Sequence, residues 1–225
     1  MVTIYDNLAC PQGSEIWEAV RHGKATASEI KRIITTSQLK PSTQSKRYAI
    51  ECACELQGIA TPKHPPTFAM ERGLELEPVA ADEYQKIYPS YNLEHVGFVL
   101  PDDRHFTAAG VCGWGCSPDR LVNDDGLLEI KCPLEVEKVV EYSTKPDEVP
   151  TDYKLQCQFQ LWVCGREWLD FFAYHPDFSF LSRVTPDEDC FAAFERYLPR
   201  FCEDVATYSE VIQHYKASFL SRGCE

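Results

Sequence analysis

Over the first ninety residues the apolar positions return at intervals of three and four, the period of helices with one buried face. Residues 14–23 open on Ser14, a good N-cap, and stop at Gly23, which predicts a short first helix. Within 26–36, Ile30, Ile33 and Ile34 form a stripe at helical spacing, behind Thr26 or Ser28 as cap. A loop around Pro41 leads to a third helix over 42–58, closed by Gly58. After the proline-rich link 60–66, a long helix is expected from Thr67 to Tyr88, irregular near Pro78.

Beyond Tyr88 the segments become short and rich in Val, Phe and Leu. Residues 91–100, 105–116, 119–124 and 126–133, divided by Pro-Asp and Asp-Asp-Gly turn signals, read as successive antiparallel strands. Residues 135–143 and 151–165 return to helix, and 167–176 and 178–185 to strand. From about Asp187 to Ser221 an amphipathic helical region follows, interrupted at Pro199. The expected class is α+β, a central mixed β-sheet flanked by helices. No composition shift marks a second domain, so residues 1–225 are expected to form one.

Composition narrows the setting. No run of eighteen apolar residues occurs, so no membrane span is expected. The first fifteen residues lack the basic and long apolar regions of a secretion signal. Eleven cysteines, an odd number in a chain of 225 residues, suggest reduced thiols in the cytoplasm. Cys112, Cys116 and Cys132 lack the second compact pair that structural zinc requires, and Cys190, Cys202 and Cys224 are too widely spaced for a cluster. The net charge of −13 is uneven: residues 14–47 hold seven Lys/Arg against three Asp/Glu, a local +4. A basic segment on an acidic body can still grip phosphates while the acidic exterior suppresses loose binding.

The densest chemistry lies in 116–133, "CSPDRLVNDDGLLEIKCP". With a turn at 123–126, antiparallel partners sum to 249, placing Asp119 opposite Ile130 and beside Glu129. Alternation along the strand then puts Glu129 and Lys131 on one face. Two adjacent carboxylates raise each other's proton affinity unless a cation intervenes. Asp119, Glu129 and the Ile130 carbonyl are oxygen donors suited to Mg²⁺. Lys131 would orient a metal-bound water, help remove its proton, or stabilise charge on an attacked phosphate. On spacing alone, a surface hairpin with a Glu–Lys pair remains open.

The context resembles a known family. "SPD", a strand, a turn and "LLEIKCP" reproduce the PD-(D/E)xK nuclease pattern of the lambda-exonuclease family of phage alkaline exonucleases. Three further blocks stand in that family's order: Trp17 to Glu29 with its Arg and T-A-S, Ala69 to Glu77, and Asp152 to Trp162. The resemblance implies a restriction-endonuclease-like core. It also implies Glu77 as a further acidic group at the metals, and Tyr153 and Gln156 on one helix face holding a phosphate or the nucleophilic water. Arg21 and Ser28 would grip the 5′-terminal phosphate. Lys24, Lys31 and Arg32 are further cations available to the DNA backbone, in a direction the sequence does not fix.

The activity so implied is Mg²⁺-dependent 5′→3′ digestion of linear double-stranded DNA to mononucleotides, with Mn²⁺ able to substitute and two ions in the site. A 3′ single strand would remain for recombination. The resemblance further implies a homotrimeric ring, a single-strand annealing protein as partner, and a phage or prophage origin in a bacterial host. Two rivals stand beside this reading: an endonuclease or resolvase on the same fold, and a non-catalytic DNA-end-binding or cluster-binding protein.

Overall fold

A central strand needs apolar residues on both faces, and Gly126–Lys131 (β7) supplies them, with every residue from Gly126 to Ile130 buried. In a computed structural model, described for residues 2–61, 65, 67–101 and 113–222, this strand is the middle of five. Its neighbours are Arg120–Val122 (β6), antiparallel, and Trp168–His175 (β8), parallel. Leu93–Glu94 (β3) and Phe178–Val184 (β9) form the edges. The sheet is therefore mixed. The parallel step needs a crossover, and Val136–Ser143 (α4) and Thr151–Cys164 (α5) provide it.

Side-chain alternation splits the molecule into two cores. Leu121, Leu127, Leu169 and Phe171 project into a large cluster with α5, with Ser45–Leu56 (α2) and with Glu188–Arg222 (α6). Val122, Leu128, Ile130 and Phe172 project the other way, against Ala80, Ala81 and Tyr84 of Phe68–Ile87 (α3). Each fully buried leucine contributes roughly 1.5–3 kcal/mol. On the α3 side, Asp170 is fully buried and accepts bonds from Tyr84 Oη at 2.6 Å and from Arg183 Nε at 2.8 Å. A buried carboxylate so satisfied is a structural fixture.

Several sequence expectations are corrected. Residues 91–100 do not form one strand: β3 joins the main sheet, while Val96–Leu100 (β4) pairs with Thr3–Asp6 (β1), which the alternation did not reveal. Gly97 permits this docking, because a Cβ there would meet the Cys10 carbonyl oxygen at 1.9 Å. The 105–116 strand falls mostly outside the described residues; its end, Trp114–Gly115 (β5), pairs in parallel with Ala25–Thr26 (β2). The second predicted helix is a six-residue 3₁₀ segment, Ala27–Arg32, followed by a bridge from Ile34 to Pro41. Its isoleucines are buried as the stripe required.

Neither proline breaks its helix. Pro78 lies within α3 and Pro199 within α6. An interior proline costs about 3 kcal/mol, which burial of Leu198, Phe201, Cys202 and Val205 offsets. No disulfide joins the nine described cysteines, and no helix among the described residues is long and apolar enough to cross a membrane.

Candidate active site

The hairpin register differs by one from the expected pairing. Arg120 faces Leu128, Leu121 faces Leu127 and Val122 faces Gly126. The turn is thus the three residues 123–125, with Asn123 in a left-handed conformation at φ 48°, which asparagine tolerates better than most residues. Continued one step, this register sets Asp119 across from Glu129 instead of Ile130. The correction brings the two carboxylates closer in register than the expected alignment. Asp119 Oδ2 also accepts the Ile130 N–H at 2.5 Å. The Ile130 side chain points away, into the α3 core.

Glu129 is 1% exposed, so its charge must be compensated within the protein. Lys131 Nζ donates to Glu129 Oε1, and Gln156 Nε2 donates to the same oxygen at 2.6 Å. Gln160 Nε2 donates to Oε2 at 2.6 Å. Lys131 stands 5.3 Å over the Tyr153 ring, which itself packs on Phe171. Glu77 reaches the site from α3 and is held by Arg120 Nη1 at 2.9 Å.

The electrostatics are those of a crowded anionic pair. Burial, then the Glu129 and Glu77 carboxylates, push the Asp119 carboxyl well above its usual range, against the pull of Lys131 and the Ile130 N–H. Burial disfavours the charged Lys131, but Glu129 and Asp119 outweigh it and hold the ammonium above its ordinary value. Burial, with Asp119 and Glu77 nearby, lifts the Cys132 thiol to about 11. Two hard carboxylates repelling each other fit a divalent cation such as Mg²⁺, which takes one or two carboxylates and fills its shell with water and phosphate oxygens. Among the described residues no group of three or more His, Cys, Asp or Glu is placed to hold a metal ion, so an ion here would rest on the two carboxylates Asp119 and Glu129.

Arg21 belongs to a second region. It ends Glu15–Arg21 (α1), and its guanidinium lies 3.9 Å over the Trp17 ring. Trp17 Nε1 in turn donates to Ser117 Oγ at 2.8 Å and to the Gly97 carbonyl at 3.1 Å. One indole therefore joins the Arg21 cation to the residues leading into Asp119. Gln12 Nε2 adds a bond to the Pro118 carbonyl at 3.2 Å.

Arg21, Lys24, Thr26, Lys46 and Arg47 help line a cleft of about 1330 Å³. Glu18, Glu29, Glu51 and Glu55 line the same cleft, so its charge is mixed. Ser28 is exposed beside the cleft, its Oγ 3.4 Å from Thr26 Oγ1. Lys31 is exposed, whereas Arg32 is engaged by Glu29 and Glu51 at 3.2 and 2.7 Å.

The structure thus gathers Asp119, Glu129, Lys131, Tyr153 and Gln156 into one patch, brings Glu77 to its edge, and sets Arg21 and Ser28 apart. The sequence reading overlooked Arg120 and Gln160. Gln160 follows Gln156 by one helical turn, a spacing that places both on one face. Arg120 carries no such signal, since its partner lies on a different element.

The profile of the YqaJ-like viral recombinase domain matches residues 16–167. No curated protein sequence matches the chain. Among solved structures, the alkaline exonuclease LHK-Exo of Laribacter hongkongensis superposes with a TM-score of 0.73 at 30% identity, covering 92% of this chain and all of the other. LHK-Exo in complex with dAMP gives 0.74 at 31% identity over the same shares. A phage-related exonuclease from Haemophilus somnus 129PT, at 14% identity and a TM-score of 0.57 over 88% of this chain and 98% of its own, shares the fold.

Proposed function

Because this chain belongs to the YqaJ-like viral recombinase family, we propose that it is a Mg²⁺-dependent nuclease that digests linear double-stranded DNA from its 5′-phosphorylated ends. The observation that carries the reading is the Asp119–Glu129 pair, with Lys131 bound to one of its carboxylates. The likeness to an alkaline exonuclease supports nuclease chemistry. The relative's complex with dAMP, a nucleoside 5′-monophosphate, supports mononucleotides as product.

Asp119, Glu129 and the Ile130 carbonyl would hold Mg²⁺, or Mn²⁺ in its place, and Glu77 would act through water. When bound, the metal supplies Lewis-acid polarisation of the phosphate and a more acidic water. The chain's own groups do the rest. Lys131 places a positive charge beside the attacked phosphate, and the Tyr153 ring beneath it limits its motion. Gln156 holds one oxygen of the Glu129 carboxylate. Arg21, with Ser28 nearby, would bind the 5′-phosphate, since a guanidinium fork matches phosphate oxygens. Trp17 would transmit the position of that phosphate to the Ser117–Asp119 segment.

In this reading the protein is a homotrimeric ring around DNA that leaves a 3′ single strand for an annealing partner inside a bacterial host. The direct test is digestion of linear and covalently closed duplex DNA with Mg²⁺ or EDTA. Mononucleotide release from linear DNA alone, abolished by EDTA, is expected. Efficient cutting of the closed circle would instead assign the site to an endonuclease.

A further inference from the structure

Helix α5 carries two buried glutamines with opposite allegiances. Gln158, 3% exposed, is satisfied at both ends by backbone: its Nε2 donates to the Thr185 carbonyl and its Oε1 accepts the Asp187 N–H, each at 2.8 Å. That is an architectural residue, pinning α5 to the start of α6. Gln160, fully buried, is different. Its Nε2 donates to Glu129 Oε2 at 2.6 Å, while its Oε1 has no hydrogen-bond partner among the described residues.

The amide cannot be reversed, because that would set its oxygen against a carboxylate oxygen. An unpaired buried acceptor costs roughly 1–3 kcal/mol, so Gln160 is poorly placed for stability alone. It is well placed for Glu129. Lys131 and Gln156 both bind Oε1, which leaves the carboxylate free to pivot about that oxygen unless Oε2 is also held.

We infer that Gln160 is a positioning residue that fixes the rotation of the Glu129 carboxylate and so presents the remaining lone pair of Oε2 to the divalent cation. The inference rests on the metal-site reading above. A neutral amide does this without cancelling the charge that attracts the metal, which a second lysine would do.

The test is calorimetric titration of Mn²⁺ alone, without DNA, into the parent protein, Gln160→Met and Gln158→Met. Ligand-supporting groups typically contribute 10–100-fold to metal affinity, so Gln160→Met should weaken Mn²⁺ binding roughly tenfold or more. Its Tm without metal should stay near the parent's. Gln158→Met should lower Tm and leave the Mn²⁺ affinity within about twofold, as its bonds lie away from the carboxylates. Gln160→Asn, which keeps the amide but draws it back by one methylene, repeats the test with little change in packing and should lose affinity as well. Parental affinity in both Gln160 variants, or an equal loss in Gln158→Met, overturns the inference. A parent protein that binds no Mn²⁺ overturns the metal-site reading beneath it.

Discussion

At the scale of the residue, Asp119 and Glu129 are held together at an electrostatic cost, and two predictions follow from that cost. Lys131→Ala removes the cation on Glu129 and should reduce cleavage by roughly 10²–10⁴-fold with the fold intact, checked by initial rates and circular dichroism. Near-parental turnover would remove Lys131 from the chemistry. The second concerns stability without metal. The Asp119 carboxyl is pushed up by burial and by Glu129 and Glu77, so ionising it opposes folding. That penalty is complete above the raised value and absent below the ordinary 3.8. Asp119→Asn should therefore raise Tm in EDTA at pH 8 by a few degrees, the shift of about 1 kcal/mol in a chain of this size, while abolishing cleavage. The gain should fade toward pH 4; a lower Tm at pH 8 would contradict the crowding. The carboxylates and the lysine were legible in the sequence because they share one hairpin. Gln160 was legible in principle by its helical spacing from Gln156, but a sequence does not show which face of a helix meets a strand.

At the scale of the element, what was hidden is long-range pairing. Strand β1 has too little alternation to announce itself, and its partner β4 lies about ninety residues away. The 3₁₀ segment shows the same limit, since burial of Ile30, Ile33 and Ile34 serves either helix type. The helices through Pro78 and Pro199 show tertiary burial overriding a local penalty. The N-terminal arm is also the link between Arg21 and Asp119. Trp17→Phe keeps an aromatic surface for Arg21 but loses the one indole N–H shared between Ser117 and Gly97. It should cost about 1 kcal/mol of stability and lower the cleavage rate more than the affinity for DNA, as measured by Tm, kcat and filter binding. A fall in Tm with unchanged kcat would reduce Trp17 to a packing residue.

At the scale of the molecule, the −13 charge coexists with a cleft of mixed charge, where Arg21, Lys24, Arg32, Lys46 and Arg47 stand among Glu18, Glu29, Glu51 and Glu55. An acidic exterior disfavours loose contacts with phosphate, so in the proposed function DNA would be held at cations such as Arg21. Arg21→Ala should shorten the run of nucleotides removed per encounter and erase the preference for a 5′-phosphate, leaving cleavage itself in place; unchanged run length would contradict the phosphate pocket. The most direct test of the central claim uses a linear duplex labelled at either the 5′-terminal or the 3′-terminal nucleotide of one strand. Its 5′ ends are phosphorylated or hydroxylated, and it is digested with Mg²⁺ or with EDTA. The account predicts that the 5′ label is released first, as a mononucleotide, fastest from phosphorylated ends and only with the metal. Earlier release of the 3′ label, or internal fragments before any mononucleotide, would contradict it.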